Sequence, residues 1–276
     1  MRNLGSQRWR RASVIALGLL VALAASPATA EPFDPGCVLP FDAIKVEHPI
    51  DGTCGREGDA STAKKKAQNL AKSNFCAPSP AARVTLVSFQ RLQNKVTQLG
   101  IPFGSASAMP TDRAVLRDIY TTTDGMTIGE GSRVVYVGFI VKAKAAGKES
   151  CNCSETGVEN TDIHVSLGRT HAEPKCKTIT AEISPHFRPD LWTVGALNQI
   201  ESHPVRISGH LFFDSVHKLC NGTEPIAGQP ARVSLWEIHP VYSCEVCVNT
   251  SISGCPWDDD SKWRAIGDVV EEEAEE

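Results

Sequence analysis

The stretch RPDLWTVGALNQIES (188–202) decides the fold, because the hydrophobic rhythm of the chain changes there. Val194, Leu197 and Ile200 fall three apart, the spacing of a short helix, and Asp190 or Thr193 stands where an N-cap belongs. On either side the period is two. Upstream, SRVVYVGFIVKAKAAG (132–147) sets Val135, Val137, Phe139 and Val141 against Val134, Tyr136 and Ile140. TDIHVSL (161–167) places Ile163, Val165 and Leu167 opposite Asp162, His164 and Ser166, and KTITAEIS (177–184) places Ile179, Ala181 and Ile183 opposite Thr178, Thr180 and Glu182. Downstream, PVRISGHLFFD (204–214) alternates Val205, Ile207, Gly209, Leu211 and Phe213, and RVSLWEIHPVYSCEVC (232–247) supplies a fifth strand with Glu237 and His239 on one face. Three strands, a helix and two strands predict a mainly β chain: a five-stranded closed barrel, OB-fold-like, with its helix between strands 3 and 4. Closure removes exposed edges, and Gly138 and Gly209 suit strands that bend sharply. A two-sheet sandwich of the same five strands is the rival architecture.

The ends of the chain set its compartment. Residues 1–30 combine the basic MRNLGSQRWRR, the apolar SVIALGLLVALAA and the small-residue SPATA, which is the pattern of a secretory signal peptide cut after Ala30. The apolar run is shorter than the roughly 20 residues that span a bilayer, so no transmembrane segment is expected after cleavage, and the protein is expected to be secreted or periplasmic. Cleavage removes Arg2, Arg8, Arg10 and Arg11 and no acid, leaving 24 Lys and Arg from 28 against 32 Asp and Glu, a net charge near −8. That balance argues against bulk nucleic-acid binding, which is driven by basic residues displacing counterions from phosphates. Residues 31–128 read as an N-terminal extension of helix and irregular chain, 129–256 as the barrel domain, and 257–276 as a solvated acidic tail ending in EEEAEE.

Within the extension, DASTAKKKAQNLAKSNFCA (59–77) predicts a helix capped by Asp59 or Ser61, with Lys64, Lys65, Lys66 and Lys72 forming a basic, solvated face. RVTLVSFQRLQNKV (83–96) begins with β-branched alternation and drifts toward helix.

With these elements placed, residues 130–248 resemble the OB-fold superfamily. More closely, the chain resembles a family of exported bacterial proteins through QNLAKSNFCA (68–77), GEGSRVVYVGFI (129–140), NTDIHVSLG (160–168), ITAEISPHFRPDLW (179–192), VRISGHLFFDSVH (205–217) and WEIHPVY (236–242). The resemblance implies organisation and brings no activity. The chain departs from secreted thermonucleases on the same barrel by lacking their DGDT-type acidic segment and paired arginines.

Acid and imidazole side chains recur near strand ends: Asp162 and His164, Glu182 and His186, Asp214 and His217, Glu237 and His239. Together they form the predicted ligand-binding set with Arg188 and Trp192, which, beside Phe187, suit stacking and anion binding to a sugar or a nucleic-acid strand. Packing at the start of the helix explains Arg188 and Trp192 equally well, and Trp236 is assigned to the barrel core. Carboxylate and imidazole suit zinc, manganese or iron, so a divalent metal at His164 and His239 is the one cofactor these residues admit. Outward strand positions are ordinarily polar, which accounts for the same residues without a ligand. No HExxH spacing, GxSxG elbow or phosphate loop is present, and no catalytic residue is assigned.

Ten cysteines (37, 54, 76, 151, 153, 176, 220, 244, 247 and 255) follow the signal segment, and in an oxidising compartment all are expected in disulfides. Three precede the long gap after Cys76 and seven follow it. Both sets are odd, so full pairing requires a bridge between extension and barrel. A four-thiolate zinc site built from CNC (151–153) and CEVC (244–247), or a redox pair at Cys244 and Cys247, is disfavoured by the same oxidation. The leading functional expectation is a disulfide-stapled OB-like module recognising an extracytoplasmic ligand (glycan, oligonucleotide or envelope protein) on the face of strands two and three. A metal-dependent hydrolase using His164 and His239 and a structural envelope protein are the alternatives.

Overall fold

A computed structural model describes residues 49–275; the signal segment and Cys37 lie outside the described residues. The chain order is helix α1 (Ala63–Lys72), strand β1 (Ala82–Val84), helix α2 (Leu86–Gln98), strands β2 (Tyr120–Thr121), β3 (Thr127–Ile128), β4 (Arg133–Ala145), β5 (Ile163–Gly168) and β6 (Ile179–Ile183), helix α3 (Val194–Gln199), strands β7 (Pro204–Phe213), β8 (Trp236–Cys247) and β9 (Trp263–Ala265), and helix α4 (Ile266–Glu275).

Five of these strands close a barrel. β4 pairs antiparallel with β5, β5 with β6, β7 with β8, and β4 with β7, while β6 and β8 run parallel and seal the cylinder. The period-two faces point as the alternation requires: Ile163, Val165, Leu167, Ile179, Ala181, Ile183, Val205, Ile207 and Leu211 are all buried in one core with Trp236. α3 lies between the third and fourth barrel strands, with the Thr193 hydroxyl accepting from the Ala196 amide and Leu197 and Ile200 turned into that core. At Gly209 the β7–β8 register shifts, and a Cβ there would stand 2.3 Å from the Pro240 carbonyl oxygen. Only a residue without a side chain allows that approach.

The extension wraps the barrel and shares its core. In 83–96 the chain is both strand and helix: β1 pairs parallel with β4, and Thr85 ends it by forming a capping box with Ser88. α2 then buries Phe89, Leu92 and Val96 in the barrel core, while Gln93 Oε1 accepts from the Leu235 amide at 2.9 Å. α1 is capped by Thr62, not by the expected Asp59 or Ser61, and the Thr62 hydroxyl accepts from Lys65 N–H. Its basic residues divide: Lys66 pairs with Glu57 at the surface, whereas Lys72 turns inward, its side chain only 10 % exposed.

Residues 257–270 correct the expectation of a solvated tail. β9 adds to β8, Trp263 donates through Nε1 to the Pro256 carbonyl, and Ile266 and Val269 of α4 enter the main core. Ile266 and Val269 lie three apart on one face of the helix, and their burial docks it on the barrel.

Among the described residues three disulfides are formed: Cys54–Cys153, Cys176–Cys220 and Cys247–Cys255. They are compatible with an extracytoplasmic protein. The first is the expected bridge from extension to barrel. Full pairing is corrected at Cys151 and Cys244, which are buried thiols without a disulfide partner. In CEVC, strand alternation sends Cys244 into the core and Cys247 to the opposite face, where Cys255 meets it. With Cys153 and Cys247 both bridged, the tetrathiolate site is also removed. No helix among the described residues is long and apolar enough to cross a membrane.

Candidate metal site

The ladders bring the predicted acids and imidazoles together. His164 and Glu182 are direct partners across β5 and β6. Ala181 pairs with Ile238 across the parallel junction, so Glu182 and His239 follow one step along both strands. The outward side chains His164, Glu182 and His239 therefore form a row across three strands. His164 Nε2 lies 3.3 Å from Glu182 Oε1, and His239 Nδ1 lies 2.5 Å from Glu182 Oε2. Asp162, just before β5, faces His239 Nε2 at 3.8 Å.

This face is not open, as the expectation of a ligand surface on strands two and three required. α1 crosses it: Lys72 Nζ reaches Glu182 Oε2 at 3.3 Å and stands 5.9 Å from the centre of the Phe212 ring, and Gln68 Oε1 accepts from the Ser215 hydroxyl. Beyond α1, the Tyr242 hydroxyl donates to the Asn74 carbonyl and accepts from Ala77 N–H, which seals the next part of β8. Glu182, Glu237 and His239 are consequently buried. The opening that remains is at the His164 edge, where that side chain is 24 % exposed and Glu149 19 %.

Glu149 and Arg232 belong to this network and were not singled out from the sequence, and Lys72, read there as part of a solvated face, belongs to it as well. Glu149 Oε2 takes the Lys72 ammonium at 2.6 Å while its Oε1 meets His164 Nε2 at 3.1 Å. Arg232 donates from Nη1 to Glu237 Oε2 at 2.5 Å and from Nη2 to Asp214 Oδ2, and His217 Nδ1 contacts the same Asp214 oxygen. The odd cysteine count was the usable signal for Glu149, since a bridge into CNC brings the turn at 149–153 against the extension. Nothing comparable marks Lys72 or Arg232.

Five carboxyl groups (Glu149, Asp162, Glu182, Asp214 and Glu237) thus share two permanent cations, Lys72 and Arg232. Burial alone would raise all five, and their neighbours separate them. Lys72 brings Glu149 down to about 2, and His164, Lys72 and His239 hold Glu182 well below the carboxylate range. Arg232 keeps Asp214 low. Burial and Glu149 push Asp162 up, and burial and Glu182 push Glu237 well up. His164 is raised against its burial by Glu182 and Glu149. Asp162 Oδ2 and Glu237 Oε1 are buried with no hydrogen-bond partner. Asp162 and Glu237 are thus the two carboxyl groups that the network stabilises least as anions.

One donor atom from each of Glu149, Asp162, His164 and Glu182 lies within 4.8 Å of every other, and Glu182, Glu237 and His239 form a second such group. Zinc bonds of about 2.0–2.2 Å set tetrahedral donors roughly 3.4 Å apart, so modest side-chain rotation would complete coordination. His186, buried on the turn after β6, is in neither group. Arg188 is committed to the Val158 and Thr161 carbonyls, and Trp192 packs into the core beside a cavity of about 500 Å³. Both placements fit packing at the helix start. Comparison with protein-family models, curated proteins and solved structures returns no match.

His210, on β7 behind the network, gives a pH test. Its Nδ1–H donates to the His239 carbonyl at 2.8 Å, and burial, with Arg113 and His239 nearby, lowers its pKa to about 3. The unfolded chain binds the proton near 6.5 and the folded one does not, so the contribution is present above that value and is lost as pH falls toward 3. The expected slope is about 1.4 kcal/mol per pH unit. His210→Gln should reduce the fall in denaturant-measured stability between pH 6 and 5 relative to the unsubstituted protein, a difference in which the carboxyl titrations common to both cancel; an unchanged slope would refute the assignment. His164 has the opposite sign, its contribution fading as pH rises above 6.5.

Proposed function

We propose that the protein is an extracytoplasmic binding module whose ligand is a divalent metal cation, held between the β5–β6–β8 face and its own N-terminal helix. The observation that carries this reading is the convergence of Glu149, Asp162, His164 and Glu182 donor atoms, with a buried Asp162 oxygen that accepts no hydrogen bond. Imidazole with carboxylate favours zinc or manganese. The OB-like strand order supports a binding role by analogy of architecture alone. The disulfides support export, and the acidic balance fits a cation better than a polyanion.

Lys72 favours a second reading. Its ammonium lies on two of the same carboxylates, as an internal counter-ion that locks the extension onto the barrel. Calorimetric titration of the mature, disulfide-intact protein with zinc and manganese separates the two. Cation binding predicts one equivalent bound, with affinity lost by at least tenfold in Glu182→Gln and His164→Ala. Absence of saturable binding would leave the lock and remove the cation.

A further inference from the structure

A separate cavity of about 440 Å³ is enclosed by one face of α1, the turn at Arg56, the segment carrying Arg113 and Arg117, and His210 of β7. None of the candidate metal donors lines it. Three guanidinium groups face the carboxylates of Asp112 and Glu130 there, a local cationic excess in a chain of negative net charge. Both acids are already committed. Glu130 takes Arg113 with both oxygens, Nε donating to Oε1 at 2.5 Å and Nη2 to Oε2, and Asp112 Oδ1 accepts from the Ala114 amide. The exposed side chains of Arg56 and Arg117 form no hydrogen bond or ion pair with any described residue. Their backbones are nonetheless fixed: the Ser73 hydroxyl donates to the Arg56 carbonyl, and Arg117 N–H donates to the Ala114 carbonyl, each at 3.1 Å. Arg113, 9 % exposed, keeps a buried Nη1 without an acceptor. His210 adds the opposite function. Its Nδ1–H is spent on the His239 carbonyl and burial keeps the ring neutral, so Nε2 carries a lone pair that can accept from a hydroxyl.

We propose that this cavity binds a small sugar phosphate, with Arg56 and Arg117 on the phosphate and a hydroxyl of the sugar donating to His210 Nε2. Guanidinium forks match phosphate oxygens. Two unpaired guanidinium groups also match a phosphate monoester, which carries a charge of about −1.5 to −2 at pH 7, better than a carboxylate, which would leave one of them unmatched. The volume falls within the roughly 300–1,000 Å³ of small-molecule sites and is far more than a bare phosphate ion fills. A basic imidazole nitrogen offers nothing to the oxygens of a bare anion and therefore selects a ligand that also carries a hydroxyl. The proposal does not depend on the cation reading above.

Calorimetric titration of the mature protein at low ionic strength, without added metal, tests this with glucose 6-phosphate, ribose 5-phosphate, inorganic phosphate and glucose. One equivalent of at least one sugar phosphate should bind about tenfold more tightly than inorganic phosphate, and glucose should show no saturable binding. Arg56→Gln combined with Arg117→Gln, checked for unchanged circular dichroism, should weaken sugar-phosphate binding by about tenfold or more. Arg83→Gln, which removes an exposed arginine outside the cavity, should leave it unchanged. Binding of neither sugar phosphate overturns the proposal. So does inorganic phosphate binding as tightly as the sugar phosphates, or an affinity that the double variant leaves intact or that Arg83→Gln lowers as much.

Discussion

Arg232→Met is expected to destabilise the protein by about 3–5 kcal/mol at pH 7, the range for removing one partner from a buried ion pair. The Arg232 side chain is 1 % exposed and lies between Glu237, itself inaccessible, and Asp214. Methionine fills much of the same volume but leaves two buried carboxyl groups without their cation. The cost is therefore electrostatic, and it should be largely recovered by Arg232→Met combined with Asp214→Asn and Glu237→Gln, since replacing all members of a buried pair is often neutral. Denaturant unfolding with the disulfides intact measures both variants. A loss below about 1 kcal/mol for the single substitution would show that the network does not hold this charge in isolation.

The second large effect belongs to the bridge between extension and barrel. Cys54 and Cys153 are 99 residues apart, and closing a loop of that size removes unfolded-state entropy worth about 4.7 kcal/mol in the chain-entropy model. The Cys54→Ser/Cys153→Ser variant should lose about 2–5 kcal/mol, the range seen when native disulfides are removed. It should also bind metal more weakly, because the turn carrying Glu149, Cys151 and Asn152 loses an anchor. Cys247–Cys255 closes a separation of only 8, for which the same relation gives about 2.5 kcal/mol. The expected order is thus a larger loss for the long bridge. Equal losses would mean that native-state strain or residual unfolded structure, rather than loop length, sets the contribution.

The barrel was legible because its strands are covered on one side by a core and alternate strictly. Ile163, Val165 and Leu167 in β5, and Val205, Ile207 and Leu211 in β7, follow the pattern without exception. The Thr193 cap was readable for the same local reason. Period two also placed His164, Glu182, Glu237 and His239 on outward positions, and their convergence followed from strand order. What it could not show was that α1 lies over them. Burial of an outward face is a tertiary event, and α1 carries a weakly apolar sequence whose inward residues include Gln68, Asn69 and Lys72. A lysine that pairs inside the protein reads from the sequence like its neighbours Lys64, Lys65 and Lys66. The acidic C-terminus misled in the opposite sense, because Ile266 and Val269 are too few to announce a packed helix amid so many carboxylates.

The central claim is that the polar barrel face beneath α1 holds a metal ion. Crystals of the mature protein grown with one equivalent of zinc, measured at the zinc absorption edge, address it directly. The account predicts one strong anomalous peak within bonding distance of Glu149, His164 and Glu182, with the Lys72 ammonium moved off both carboxylates. No peak there, with Lys72 still lying between Glu149 and Glu182, would contradict it.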